Sequence, residues 1–330
     1  MCHLVEHTDV FNSGHPYKLN RVDGGTPPVY PYTVLPSPPA GWSWDNISWV
    51  IGGFSWKARF IDPDGYIITG SDVQYNFATG GWSAYHDGEA IGTKPYNCGK
   101  CHTTGWVGTD ANGPHQDGQP GMWGTFSDPG ITCEACHGPG SRHAASTRAA
   151  DITIDRTADQ CGQCHTRDAQ RRIEAKGGFI RHHEQYDEMI SARHSGLECL
   201  DCHHQHRGTR NTPGAGIVRN CEGCHSTQAA KSKHNGAPDC IDCHMPEAGK
   251  SAVATNEHDG DVRTHIFKVN STNADKSAMW YNADGKQFSN GFVTLDFACY
   301  SCHKDGSGVG GAASQRTLAE LSTLATGMHQ

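Results

Sequence analysis

Cys240-Ile241-Asp242-Cys243-His244 is one of seven copies of the same five-residue spacing. The others are Cys98, Cys101 and His102; Cys133, Cys136 and His137; Cys161, Cys164 and His165; Cys199, Cys202 and His203; Cys221, Cys224 and His225; and Cys299, Cys302 and His303. Cys-x-x-Cys-His is the covalent attachment pattern for c-type haem. Two thioethers hold the porphyrin edge, and the adjacent imidazole reaches the iron from one face. Zinc ribbons also use paired Cys-x-x-Cys, but they need no His directly after the second Cys. A disulfide framework gives no reason for that His either, and a redox Cys-x-x-Cys would occur once. His makes up 22 of 330 residues, so its appearance after all seven pairs is not chance. The cofactor expected is haem c, seven copies from complete motifs.

Leu, Ile, Val and Phe together number only 48 of 330 residues. That lies below the roughly 20% at which a chain can be expected to build an apolar core. Large apolar cofactor plates resolve the shortage. The expected fold is mostly irregular chain with short helices and a small antiparallel β element, a multihaem cytochrome c fold with the haem stack as core. On that reading the haem-free protein does not fold, because ligand binding energy is folding energy. The formal net charge of −8 argues against nucleic acid and anionic membranes as partners. No 18-residue apolar run is present to span a bilayer. Haem c is attached outside the cytoplasmic membrane, so an exported protein, extracellular or periplasmic, is expected. No signal peptide is recognisable in the given chain.

In chain order, Met1-Cys2-His3 comes first, and Cys2 is the odd fifteenth cysteine. It reads as the tail of an eighth motif that begins upstream, with Cys2 as attachment point and His3 as proximal ligand; a free thiol or an intermolecular partner is the alternative. Residues 22–40 carry Pro27, Pro28, Pro31, Pro36, Pro38 and Pro39 and read as an extended arm. Residues 42–91 lack cysteine and cluster Trp42, Trp44, Trp49, Trp56 and Trp82. There, 57–61 and 66–69 flank Asp62-Pro63-Asp64-Gly65, a hairpin signal. Residues 168–191 show helix-friendly spacing, and Gly177-Gly178 divides them into two expected helices. Residues 262–268 and 291–297 read as short extended runs. Residues 312–326 read as a terminal helix, with Leu318, Leu321 and Leu324 along one face. The segments expected are a haem-capping arm with the β element over 1–97, the haem-bearing region over 98–303, and a Gly-rich linker with the helix over 304–330.

Each motif supplies one proximal ligand: His102, His137, His165, His203, His225, His244 and His303, with His3 for the partial motif. The sixth position decides whether an iron carries electrons or binds substrate. Fourteen further histidines remain for it. Local context selects His15, His115, His143, His194, His206, His234 and His265 as distal candidates, with one of His182 and His183, taken as His183, to complete the set. His7, His86, His204, His258 and His329 are left as surface or supporting residues. Asp-Gly pairs such as Asp259-Gly260 are ordinary turn chemistry and do not argue for calcium.

These motifs, together with Ser13-Gly14-His15-Pro16-Tyr17-Lys18, the run Cys133–His143, and Cys240–Pro246 followed by His265-Ile266-Phe267-Lys268, resemble the bacterial multihaem c-type cytochromes over about residues 1–303. The pieces look like those of octahaem electron carriers, including subunits of extracellular cytochrome filaments. They are also similar to parts of the nitrite-reductase and hydroxylamine-oxidoreductase group. That group often keeps one haem open with a Cys-x-x-Cys-Lys motif, which this chain lacks. The resemblance implies a haem chain with parallel and T-shaped stacking. It implies an electron carrier, not an enzyme: either a head-to-tail filament subunit, with one distal His from the neighbouring subunit, or a shuttle to other redox proteins. The alternative is an oxidoreductase acting on a small nitrogen or sulfur compound at one open haem.

Overall fold

The computed structural model describes all of residues 1–330 except 1–2, 109, 212–213 and 235–237. Cys2, proposed as an attachment point, therefore lies outside the described residues. The chain forms two compact units, one of residues 1–156 and 203–218, the other of residues 157–202 and 219–330.

The first unit is built on a meander of five antiparallel strands in chain order: β1 (Leu19–Arg21), β2 (Trp49–Gly52), β3 (Lys57–Ile61), β4 (Gly70–Asn76) and β5 (Gly81–Tyr85). Strand side chains alternate between the two faces of a sheet. Here both faces are apolar. Val50, Ala58, Phe60, Ile68 and Val73 pack on one side, with Trp42, Trp44 and Trp82 over them. Leu19, Trp49, Ile51, Ile61 and Ile67 pack on the other, joined by Tyr96 and Met122. The chain turns at 62–65 as expected. The Asp62 carboxylate accepts from the backbone N–H of Asp64 and of Tyr66 at 3.0 and 2.9 Å. The turn feeds a bridge from Ile61 to Ile67 before β4 begins. Residues 27–39 carry no regular structure beyond a bend, as their prolines require. A two-stranded ribbon, β6 (Thr103–Thr104) with β7 (Asp128–Pro129), follows the first complete motif.

The second unit holds another five-stranded sheet. Its strands are β8 (Glu174–Lys176), β9 (Phe179–Arg181), β10 (Gly249–Lys250), β11 (Trp280–Ala283) and β12 (Lys286–Ser289), in the order β10-β9-β8-β12-β11. This corrects the expectation of two helices divided by Gly177-Gly178: the residues next to the pair form strands, and helix begins only at Gln185. Those glycines have φ of +62° and +79° and form the two-residue loop that pairs Lys176 with Phe179. Two consecutive positive φ values give the turn whose twist suits a hairpin. Burial of Ile173, Ala175, Phe179 and Ile180 then rewards strand over helix. Asp284-Gly285 repeats the device at the β11–β12 turn, with φ of +51° and +72°. Ile266, Met279, Val293 and Phe297 close a core with Ile173, Phe179 and Ile180. Side chains therefore build cores in both units, in addition to whatever the cofactors cover.

The helices are short: α1 (Leu4–Phe11), α2 (Gly99–His102), α3 (Cys133–His137), α4 (Ser141–Ser146), α5 (Ala158–Gly162), α6 (Gln185–Ser191), α7 (Ser226–Lys231), α8 (Cys240–His244), α9 (Leu295–Cys299) and α10 (Leu318–Ala325). Of the two helices expected in 168–191 only the second is found, as α6. The terminal helix expected over 312–326 is α10, which starts only at Leu318 behind its Thr317 cap. Residues 291–297, expected as extended, turn helical at Leu295, where α9 buries Leu295 and Phe297. Among the described residues, no helix is long and apolar enough to cross a membrane.

Candidate metal centres

The motifs at 98, 133 and 240 are wound into α2, α3 and α8, those at 161 and 299 start at the ends of α5 and α9 and continue as turns, and those at 199 and 221 start in the 3-10 turns Cys199–Asp201 and Cys221–Gly223. Residues three and four apart share a face of such a turn. The His amide donates to the carbonyl of the first Cys in three motifs, His165 to Cys161 at 3.0 Å, His225 to Cys221 at 2.8 Å and His303 to Cys299 at 2.8 Å. Two sulfurs and one imidazole are thereby brought to one side. The cores set where these turns lie. Tyr96, fully buried against the first sheet, donates its amide to the Gly121 carbonyl and accepts from Trp123 just before Cys98. Leu295 and Phe297 are buried on α9 just before Cys299.

None of the fourteen described cysteines is buried; each is half-buried or exposed. Free cysteine is ordinarily among the most buried residue types. Thiols held at the surface in pairs suit a group that covers them.

The imidazoles complete the test. Two rings gripping one iron from opposite faces each put a nitrogen about 2 Å from the metal, which sets their centres about 6 Å apart. Among the described residues six histidine pairs stand at that separation. His204 with His206, at 6.1 Å, joins two near neighbours that follow no second cysteine, and the other five each include a histidine that directly follows a cysteine. In the first unit they are His3 with His143 at 5.9 Å and His137 with His206 at 6.2 Å. In the second they are His194 with His225 at 5.9 Å, His234 with His303 at 6.2 Å, and His244 with His329 at 6.0 Å. Four of these join a proximal histidine to a histidine proposed from sequence as distal: His143, His206, His194 and His234. The fifth brings in His329, which the sequence reading leaves at the surface.

Tautomers agree. A carbonyl only accepts, so a ring nitrogen bonded to one must carry the proton, leaving the other nitrogen's lone pair for a metal. Nδ1 faces a backbone carbonyl in His137 (Thr153, 2.7 Å), His143 (Arg148, 2.9 Å), His244 (Phe267, 2.8 Å), His303 (Ser314, 3.0 Å) and His329 (Gln228, 3.1 Å). Burial, and then the neighbouring imidazoles, lowers the pKa of His194 and of His206, favouring the neutral form that binds metal. Burial does the same for His203.

The other distal candidates are placed as follows. The His15 carbonyl accepts from Ile131 and the His102 carbonyl from Gly130, so one two-residue segment holds both histidines. The His165 ring bonds the Gln185 side chain at 3.1 Å. His182 and His183 lie ring to ring at 3.7 Å. His115 bridges Trp123 and Gly124, with its Nε2 at the Ala111 carbonyl. His265 donates its amide to buried Glu188 at 2.6 Å and sets its ring edge-on to Phe267. Glu257, His258 and Asp305 also converge. There Lys276 takes Glu257 and His258 bonds Asp305 at 2.9 Å, which makes a hydrogen-bonded ionic network.

Residues 82–138 match the family described as cytochrome c554 and c-prime, a stretch that holds the first two complete motifs. No curated protein matches the chain by sequence. Three solved structures are similar. The octahaem sulfite reductase MccA of Wolinella succinogenes aligns at TM-score 0.59 and 16% identity, covering 99% of this chain and 66% of that one. The outer cell wall cytochrome OcwA aligns at TM-score 0.58 and 18% identity, covering 98% of this chain and 84% of that one. An undecahaem S-layer cytochrome of Carboxydothermus ferrireducens aligns at only 0.46 and 17% identity, covering 75% of this chain; the chain spans half the length of that protein. The attachment motifs and the fold together are those of the multihaem c-type cytochromes.

Proposed function

We propose that this protein is an exported electron conduit in which most or all irons are held between two histidines. The observation that carries this reading is the set of five pairs at 5.9–6.2 Å that join a motif histidine to a second imidazole, the second member being a distal candidate from the sequence in four of them. Haem c supplies one-electron redox chemistry when bound. The chain's own part is to clamp each iron from both faces, which keeps small ligands out and favours low potentials. The pair formed by His3 and His143 supports an eighth haem at Cys2 and His3, beyond the seven complete motifs. The three segments 1–97, 98–303 and 304–330 are proposed as capping arm, haem-bearing region and terminal helix. Head-to-tail association into a filament is proposed as the working assembly, a contact that propagates instead of closing. The test is haem counting per polypeptide, followed by carbon monoxide addition to the fully reduced protein. Eight haems and no spectral change are expected. Carbon monoxide uptake by one haem overturns full bis-histidine ligation and favours the second reading, an oxidoreductase with one open iron, which the shared fold with an octahaem sulfite reductase keeps in view. Electron microscopy decides between filament and shuttle.

A further inference from the structure

We propose that His329 is the sixth iron ligand opposite His244, at the haem attached to Cys240 and Cys243. The inference rests on the bis-histidine reading above and assigns one of its ligands. The two rings lie 6.0 Å apart and only 28° from parallel. Both have Nδ1 toward a backbone carbonyl, His244 to Phe267 and His329 to Gln228, so in both Nε2 carries the lone pair that a metal needs.

The route that brings His329 there is built into the fold. α10 starts on a capping box, in which the Thr317 hydroxyl accepts from the Glu320 amide and the Glu320 side chain accepts from the Thr317 amide. Its one buried residue, Leu321, packs on Leu295, four residues before the Cys299 motif, and on Tyr300 within it. The Ser322 hydroxyl donates to the Ser271 carbonyl at 2.8 Å and pins the same helix. Gly327, at φ +85°, then reverses the chain so that His329 returns toward α7 and α8. This ligand arrives on an exposed segment after the helix, and His329 itself is exposed. Removing this one exposed imidazole should therefore turn a sealed iron into an open one.

The experiment compares wild type, His329→Ala and His329→Met, each fully haem-loaded, by electron paramagnetic resonance, carbon monoxide binding and redox titration. For His329→Ala, a high-spin signal and carbon monoxide binding equal to one haem are expected, both reversed by added imidazole. His329→Met should stay low-spin with one potential raised, since Met ligation raises a potential. Adding Cys240→Ser and Cys243→Ser to His329→Ala should abolish the new carbon monoxide site, which locates it. Should the double-cysteine variant not fold, Gly327→Val in the otherwise intact protein gives the same one-haem opening by moving the segment. Spectra of His329→Ala identical to wild type, with no carbon monoxide bound in either, overturn the assignment while bis-histidine ligation stands. If wild type already binds carbon monoxide at one haem, full bis-histidine ligation fails; the assignment survives only if His329→Ala opens a second.

Discussion

The sheet of residues 19–85 and the motif-bearing stretch of residues 221–244 solve the same problem differently. In the sheet, Val50, Ala58, Phe60 and Ile61 are buried to 0% exposure by other side chains. In the stretch from 221 to 234, every residue is exposed save the half-buried Ala229. The backbone there is held by single turns, such as Cys224 to Cys221 at 3.1 Å and His225 to Cys221 at 2.8 Å. One region carries its own core. The other carries ligands and leaves its covering to the group they bind. The scarcity of Leu, Ile, Val and Phe is thus a local property of the motif-bearing loops, because the sheets are apolar on both faces or closed by Ile and Phe.

The largest expected effect tests this contrast directly. Composition alone expects the haem-free protein not to fold. The side-chain cores of the sheet narrow that expectation, so hydrogen exchange of haem-free protein should show all protection lost over 221–244 while β2 and β3 keep measurable protection. Loss in both places at once would mean that the cofactors hold the sheet as well, and the two regions would not differ. Next in size is Phe60→Ala. Removing this fully buried ring should cost about 3–5 kcal/mol, read as a fall in the thermal midpoint of tryptophan fluorescence, with haem content per folded chain unchanged.

A pH effect should appear in the second unit. Burial pushes Glu188 up to about 7, against hydrogen bonds from the His265 amide and the Thr264 hydroxyl that pull it down. Between the ordinary Glu value near 4.5 and about 7, the folded chain holds a proton that the unfolded chain releases. Stability from this group is therefore full below the lower value and is lost as pH rises through about 7. Denaturant unfolding at pH 5 and pH 8 should show the decline, and Glu188→Gln should flatten it. An unchanged slope in the variant would remove Glu188 from the account.

The smallest effects probe the turns. Gly285→Ala meets no neighbouring atom but inherits φ +72°. It should cost about 1–2 kcal/mol from backbone conformation alone, seen in unfolding of the second unit. Thr317→Ala removes a helix cap and should cost about 1 kcal/mol, with local exchange at α10 as the readout.

Much of this was legible in the residues, though unevenly. Asp284-Gly285 is a turn signal like Asp62–Gly65, but the mixed residues on either side, Trp280–Ala283 and Lys286–Ser289, carry no plain strand pattern. Gly177-Gly178 was seen as a breaker, which is correct, but a breaker between two helices and a tight hairpin turn look alike until the burial of Phe179 and Ile180 decides. Of the eight histidines that local context selects, the structure sets His143, His206, His194 and His234 opposite a motif histidine and does not do so for His15, His115, His183 or His265 among the ring pairs at that separation. Local context did not select His329, whose neighbours Gly327 and Met328 carry no ligand signature.

The sequence by itself determined the chemistry. The cofactor class follows from a spacing of three and then one residue, because one helical turn is enough to bring two sulfurs and an imidazole together. Tertiary structure alone decided which imidazole faces which. His194 lies five residues before Cys199 yet meets His225. His234 lies six before Cys240 yet meets His303, and His206 meets His137. The reason is geometric. The first ligand sits on the same turn as its cysteines, but the second must come from the opposite face of a flat group, where the motif's own turn cannot reach. That partner is supplied by whichever segment the two sheets and their cores bring across.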